Sequence, residues 1–200
     1  MAELVPGDPI RTVTNVVKGA VDKIHDLVDG TDHGPLATVE SIDPARYSGL
    51  WYEAARLPLT FQKDETVSTA EYTVKSDGVL GVLNSSYLGD EVDATIEGEA
   101  TPAKGAEETF ARLNVRFGGI LRFIPIADEG NYFIMAVDDD YQNALVGTPD
   151  RRCLWFLSRN QNSWTSQTMQ DFRGVATESG FEVANLLVAN WDTRRTGAAE

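Results

Sequence analysis

The stretch that decides the fold is Gly49-Leu50-Trp51-Tyr52-Glu53-Ala54-Ala55-Arg56-Leu57-Pro58, which has the alternating pattern of a first β-strand. Gly49 lets the backbone approach another part of the chain closely just before Trp51. Upstream, Asp43-Pro44 suits the opening of a short helical turn. We therefore expect a helical turn that leads directly into a strand carrying Trp51.

Beyond this strand the alternating pattern continues to the last third of the chain. Seven further short runs follow it, over residues 68–74, 79–87, 92–100, 110–117, 132–138, 144–147 and 153–158. Turn residues such as Gly89-Asp90 and Thr148-Pro149-Asp150 separate the runs. Eight strands are enough to close an up-and-down barrel around one small ligand. The predicted fold class is all-β, an eight-stranded antiparallel up-and-down barrel (a calyx).

Two helices are predicted outside the barrel. Residues 8–29 carry an apolar stripe at three- and four-residue spacing, and residues 166–179 carry another that ends before Gly180. A last edge-like strand is expected over residues 181–188, and the polar tail is expected to be disordered. The predicted division is an N-terminal amphipathic helix and linker over residues 1–35, a barrel domain over 36–192 and a tail over 193–200.

The N-terminal helix has two interpretations. It packs on its own domain or on a sister chain, or it lies in a membrane interface with Lys18 and Lys23 toward the headgroups. Its polar face carries acids as well as bases, which favours packing on protein. A homodimer contact and a membrane-surface contact through residues 8–29 both stay open.

Composition and charge restrict the classes of partner. The 200 residues are 42% hydrophobic and 24% charged, which suits one ordinary globular domain. A formal net charge of -14 argues against a nucleic-acid partner and disfavours anionic lipid headgroups unless the charge is segregated. Cys153 is the single cysteine, which excludes an intrachain disulfide.

The start of the chain bears on location without fixing it. It has no basic segment followed by an apolar run, as a signal peptide would have, and no lipoprotein cysteine. A chain trimmed of its signal would look the same. Cytoplasmic or peripheral placement of the chain as given, and a trimmed secreted or periplasmic form, are the expectations.

Three motifs, in order and at consistent separations, are similar to those of the lipocalin family. They are Tyr47-Ser48-Gly49-Leu50-Trp51-Tyr52-Glu53, then Asp138-Asp139-Asp140-Tyr141-Gln142-Asn143-Ala144-Leu145-Val146, then Leu154-Trp155-Phe156-Leu157-Ser158-Arg159. Residues 96–102 and 149–155 resemble the bacterial lipocalin and apolipoprotein D branch. The resemblance spans about residues 39–192 and implies a structural signature of Gly49, Trp51, Asp138, Tyr141 and Arg159. It implies that Arg159 stacks on Trp51 at the closed end, with its donors satisfied by nearby carbonyls.

Alternation assigns one face of each strand to the barrel cavity. If Trp51 faces inward, Glu53 and Ala55 share its face. The other inward sets are Val82, Asn84 and Ser86; Leu113, Val115 and Phe117; Tyr132, Ile134 and Ala136; and Cys153, Trp155 and Leu157. This lining is mostly apolar and aromatic with a few polar groups, which suits a lipophilic molecule with one polar end. Phe61, in the loop after the first strand, is either a surface aromatic or a lid.

Catalysis has little support in the sequence. His25 and His33 both precede the barrel, so the usual base and metal ligand are missing from it. Cys153 in an apolar wall would have a raised pKa and be inert, which leaves Glu53 as the one candidate acid or base. We predict no catalytic residue, no metal and no cofactor.

The predicted function is carriage of a small hydrophobic molecule, a fatty acid or lysophospholipid first, in the barrel cavity. The alternatives are a lipocalin-fold enzyme of the isomerase or cyclase type using Glu53, and a membrane-surface or dimerising module that uses residues 8–29.

Overall fold

The computed structural model describes residues 34–75, 78–119, 125–161 and 164–192. The predicted helix over residues 8–29 and the predicted tail over 193–200 lie outside these ranges. Within them, no helix combines the length and the apolar content that crossing a bilayer would require.

Eight antiparallel strands form a closed barrel, in which each strand pairs with the next and β1 pairs with both β8 and β2. The strands are β1 (Gly49–Arg56), β2 (Val67–Val74), β3 (Leu80–Leu88), β4 (Glu91–Pro102), β5 (Arg112–Phe117), β6 (Tyr132–Val137), β7 (Asn143–Gly147) and β8 (Leu154–Ser158). The predicted fold class and strand count are thus confirmed. The sequence could predict them because the alternating runs and the turn residues between them are local features of the chain.

Short elements flank the barrel. Helix α1 (Pro44–Tyr47) precedes β1, and helix α2 (Ser166–Glu178) follows β8. The prediction of one strand over residues 181–188 is wrong, since a 3₁₀ turn (Val183–Asn185) interrupts it and leaves only β9 (Leu187–Val188). β9 pairs with β1 at Ala55 and Arg56, alongside the barrel wall.

The closed end is held by Arg159, as the family resemblance implies. Its guanidinium carbon lies 3.7 Å from the centroid of the Trp51 ring. Its N–H groups donate to the carbonyls of Leu50 at 2.8 Å and Ser48 at 2.8 Å. Gly49 has a φ of +91°, and a Cβ there would lie 3.3 Å from Arg159 Nη1, so glycine is needed beneath the guanidinium.

Two apolar clusters lie on opposite faces of the barrel wall. The inner cluster lies on the inward face of the barrel wall and comprises Ile42, Tyr47, Trp51, Tyr72, Leu80, Val82, Ala100, Leu113, Val115, Ile134, Ala144, Val146 and Leu157. The outer cluster packs α2 on the wall and comprises Leu36, Ala54, Ala55, Leu57, Phe133, Met135, Leu145, Leu154, Phe156, Phe172, Ala176 and Phe181. Strands buried on both faces explain why β7 and β8 are apolar at almost every position.

Bulges correct two of the predicted inward positions. In β1 the register shifts between Glu53 and Ala55, so Ala55 belongs to the outer cluster and not to the face of Trp51. In β6 it shifts between Ile134 and Ala136, and Ala136 packs against the outer cluster. An extra residue in one strand reverses which face every later side chain occupies.

Candidate ligand-binding site: the barrel interior

The barrel interior collects most of the predicted lining. Leu113, Val115, Ile134 and Leu157 belong to the inner cluster, and Phe117, Tyr132 and Trp155 pack against it. Asn84 and Ser86 follow Val82 at alternate positions of β3 and so share its inward face. Five residues at inward strand positions are only partly buried: Asn84, Ser86, Phe117, Tyr132 and Trp155.

Three tyrosines meet inside the barrel. The hydroxyl of Tyr72 donates to that of Tyr132 at 2.8 Å, and the hydroxyls of Tyr47 and Tyr132 lie 2.7 Å apart. Burial raises the pKa of all three, that of Tyr72 to about 12, so they are neutral at ordinary pH. Three O–H groups share two contacts, so one proton stays available for an acceptor. We call these residues the tyrosine trio.

Asn84 contributes a complementary group. Its side-chain oxygen is buried and has no hydrogen-bond partner among the residues described. A buried amide oxygen left unpaired costs about 1–3 kcal/mol, which a donor on a bound molecule would offset. Asn84 therefore offers an acceptor and the tyrosine trio a donor, both beside apolar and aromatic surface of the barrel interior.

Glu53 faces inward, as predicted, but it is tied into a polar network. Its side chain accepts hydrogen bonds from Ser68 Oγ and, at 3.3 Å, from Gln62 Nε2, and its Oε1 lies 3.2 Å from Arg56 Nε. Burial raises its pKa, and the charge of Arg56 and these hydrogen bonds oppose the rise without cancelling it. The carboxyl group is therefore anchored and shielded from solvent.

Arg56 is a residue that sequence reasoning missed. It is fully buried, with 0% of its surface exposed, and Nη2 donates to the carbonyl of Lys63 at 2.7 Å. It pairs with Trp155 across β1 and β8, so the bulge before it has turned it to the inner face. Plain alternation from Trp51 would have placed it outside.

A side cleft of about 220 Å³ opens beside this pair. It lies between β9 and the start of β2, where β1 pairs with β9 and no longer with β2. Its lining consists of Glu53, Arg56, Asp64, Glu65, Thr66, Val67, Leu187, Val188, Ala189 and Asn190.

Two further predicted site residues, Phe61 and Cys153, lie just outside the named strands. Phe61, in the loop between β1 and β2, is 51% exposed. Cys153 directly precedes β8, and its N–H donates to Thr148 Oγ1 at 3.1 Å. Burial raises the pKa of the Cys153 thiol to about 12, so the group is a thiol and not a thiolate at neutral pH. Sequence reasoning also missed Tyr47 and Tyr72; the alternation of β2 was a signal for Tyr72, whereas Tyr47 lies before β1.

A closed eight-stranded calyx with a mixed apolar and polar interior defines a binding barrel for small molecules. The family model for the lipocalin-like domain matches residues 42–190. The chain belongs to the lipocalin family, and its barrel is a site for a small hydrophobic ligand.

Several relatives are similar over most of their length. Temperature-induced lipocalin-1 of Arabidopsis thaliana is 35% identical over 158 residues, which cover 78% of this chain and 83% of the relative. Outer membrane lipoprotein Blc of Escherichia coli (strain K12) is 36% identical, over 76% and 81% of the two chains. Apolipoprotein D of Macaca fascicularis is 30% identical, over 76% and 78%. These matches place the chain in the branch that the sequence motifs indicate.

A solved structure supports the fold independently. Insecticyanin from the tobacco hornworm Manduca sexta superimposes with a TM-score of 0.55 at 17% identity, over 82% of this chain and 87% of that one. At that identity the likeness extends to the architecture alone.

Proposed function

We propose that this protein binds and carries a fatty acid or a lysophospholipid in its calyx. The observation that carries the proposal is the pairing of an apolar barrel interior with polar groups that have unused hydrogen-bonding capacity, namely the unpaired Asn84 oxygen and the one O–H of the tyrosine trio that their two contacts leave over. An acyl chain matches the wall. The O–H of the tyrosine trio matches an ester or carboxyl oxygen, and the Asn84 oxygen matches a hydroxyl donor such as that of a lysophospholipid's glycerol.

The affinity would come from the acyl chain. Burial of each methylene contributes about 0.8 kcal/mol, so lengthening a chain by two carbons should tighten binding roughly tenfold until the cavity is filled. The polar sites add orientation, because a ligand that cannot pair with them leaves buried groups unsatisfied.

A carrier role is favoured over an enzymatic one by the state of the two reactive groups. Glu53 is held by Arg56, Ser68 and Gln62, which restricts its access to a substrate proton. Cys153 keeps its proton at neutral pH, which weakens it as a nucleophile. The enzyme hypothesis would need turnover of a lipophilic substrate that Glu53→Gln abolishes while binding persists.

The test is native mass spectrometry of the purified protein, organic extraction of what co-purifies, and rebinding followed by tryptophan fluorescence. Fatty acids and lysophospholipids should quench the tryptophan fluorescence of the wild type. They should also quench that of the control Trp164→Phe, because Trp164 lies in the outer layer beside Phe156 and Phe172. The quenching should be lost in Trp155→Phe, whose wild-type ring packs against the inner cluster. A barrel that binds neither lipid class would overturn the proposal.

We propose a second role, for residues 8–29, on their amphipathic pattern alone: attachment to a membrane surface or to a second copy. Removing residues 1–33 should then abolish vesicle partition or self-association and leave lipid binding intact. The deletion stops before Gly34 because its carbonyl accepts a hydrogen bond from Arg151 at 2.7 Å. Unchanged partition and unchanged mass in solution would refute this role.

A further inference from the structure

We infer that Arg56 recognises the anionic oxygen group, carboxylate or phosphate, of the amphiphile that the calyx binds, and that the side cleft receives this group. The inference rests on the proposed function and specifies where the polar end of the ligand lies. It places the headgroup at the junction of β1, β2 and β9.

The hydrogen bonding of Arg56 is incomplete. A guanidinium has five N–H donors, and here Nη2 donates to the carbonyls of Lys63 and Thr66, at 2.7 and 3.4 Å. Nε and Nη1 are buried without a hydrogen-bond partner within the described part of the chain. Nε lies 3.2 Å from the Glu53 carboxylate, but its N–H is not aligned with it. Buried donors of this kind favour an anionic acceptor.

The cleft has the size of a headgroup. Its volume of about 220 Å³ corresponds to roughly seven water molecules at about 30 Å³ each, which is too small for a whole amphiphile. Arg56 lies opposite Trp155 in the register of β1 and β8, and Trp155 packs against the inner cluster. An anionic end at Arg56 thus leaves the acyl chain next to the apolar interior.

The charges around Arg56 select among anionic ligands. Glu53 is its buried partner, and Asp64 Oδ1 lies 3.9 Å from Nη1 with its side chain 61% exposed. Glu65 also lines the cleft, whereas the lining residues on the β9 side are uncharged. The carboxylates of Asp64 and Glu65 repel a carboxylate ligand and attract a cationic group. A zwitterionic headgroup with its phosphate on Arg56 therefore fits the cleft better than a fatty acid.

The experiment compares ligands that differ only in the charged group. Affinities of palmitic acid and hexadecanol, and of lysophosphatidylethanolamine and monoacylglycerol, are measured for wild type, Arg56→Gln and an exposed-charge control, Lys104→Gln. Arg56→Gln should weaken binding of the ligand that carries the carboxylate or phosphate about 10- to 100-fold. It should leave the affinity for the uncharged ligand of each pair within about threefold. Lys104→Gln should change neither, because Lys104 lies on the surface with Asp128.

Two further variants keep the result interpretable if Arg56→Gln does not fold. Glu53→Gln with Arg56→Gln removes both charges of the pair and keeps two hydrogen-bonding amides, and it should lose the same preference for acids. Asp64→Asn should increase the affinity for palmitic acid relative to that for the zwitterionic lysolipid. A response of the lysolipid pair alone would identify phosphate as the ligand group, and a response of palmitic acid alone would identify carboxylate.

The outcomes separate the two proposals. Wild-type ratios of acid to neutral ligand in both Arg56 variants would overturn the role of Arg56 and leave the carrier function standing. A wild type that binds no member of either pair would overturn the carrier function, and the inference with it.

Discussion

At the scale of single residues, the closed end depends on one side chain. Arg159 stacks on Trp51. It also donates hydrogen bonds to the carbonyls of Tyr141, Arg46 and Tyr47, at 3.2, 2.9 and 3.0 Å. Arg159→Ala removes the stacking and these donors, while the Tyr47 carbonyl keeps its hydrogen bond from Trp51 Nε1 at 2.8 Å. The variant should lower the free energy of unfolding by roughly 3 kcal/mol. Urea unfolding measures the loss.

Arg152→Ala is the matched control for Arg159→Ala. Arg152 is exposed and its Nε lies 3.9 Å from Asp150, so its removal should change the unfolding free energy by no more than about 0.5 kcal/mol. Equal losses in the two variants would contradict a special role for Arg159.

Glu53 predicts a pH dependence. Its pKa in the folded protein lies above its ordinary value of 4.5, so the folded state retains the proton to higher pH than the unfolded state. This group's contribution to stability is therefore fully present below about 4.5 and is lost as pH rises through the folded pKa. The unfolding free energy of wild type minus that of Glu53→Gln should fall over that interval and then level off, measured by urea unfolding from pH 4 to 8. A difference that rises with pH would show that Arg56 outweighs burial.

At the scale of elements, two glycines should respond to alanine with opposite signs. A Cβ at Gly147 in β7 would lie 2.6 Å from the Phe181 ring and 3.0 Å from the Met135 sulfur, both buried in the outer cluster. Gly147→Ala should cost about 1–3 kcal/mol by forcing the segment after α2 off the barrel. Gly174, within α2, has no atom near its Cβ position, so Gly174→Ala should stabilise by about 0.5–1 kcal/mol. Thermal unfolding of both variants measures the two effects. A lower Tm in both variants would contradict the expected difference between these two positions.

At the scale of the whole molecule, ligand binding and folding are linked because the barrel interior exists only in the folded state. A fatty acid or lysophospholipid at about 100 times its dissociation constant should raise the unfolding free energy by about 2.7 kcal/mol. Differential scanning calorimetry at increasing ligand concentration measures the shift in Tm. A matched amphiphile whose polar end is too bulky for the calyx is the control, and equal shifts would indicate binding outside the barrel.

The sequence by itself determined the class of fold. The signals were the eight alternating runs, the turn residues between them and the Asp43-Pro44 turn before Trp51. Each depends only on residues that are neighbours in the sequence. It also indicated the contact of Arg159 with Trp51, through the family motifs that carry both residues.

The sequence placed Glu53, Asn84, Ser86 and Tyr132 on the inward face, but only the tertiary structure decided which further polar groups join them and how these groups pair. Bulges at β1 and β6 reversed the face of Ala55 and Ala136 and turned Arg56 inward, and alternation cannot predict where one extra residue is inserted. The meeting of Tyr47, Tyr72 and Tyr132 joins three segments that are distant in sequence. Strand periodicity is a property of neighbouring residues, whereas hydrogen bonds across a barrel depend on closure of the whole sheet, which no local pattern encodes.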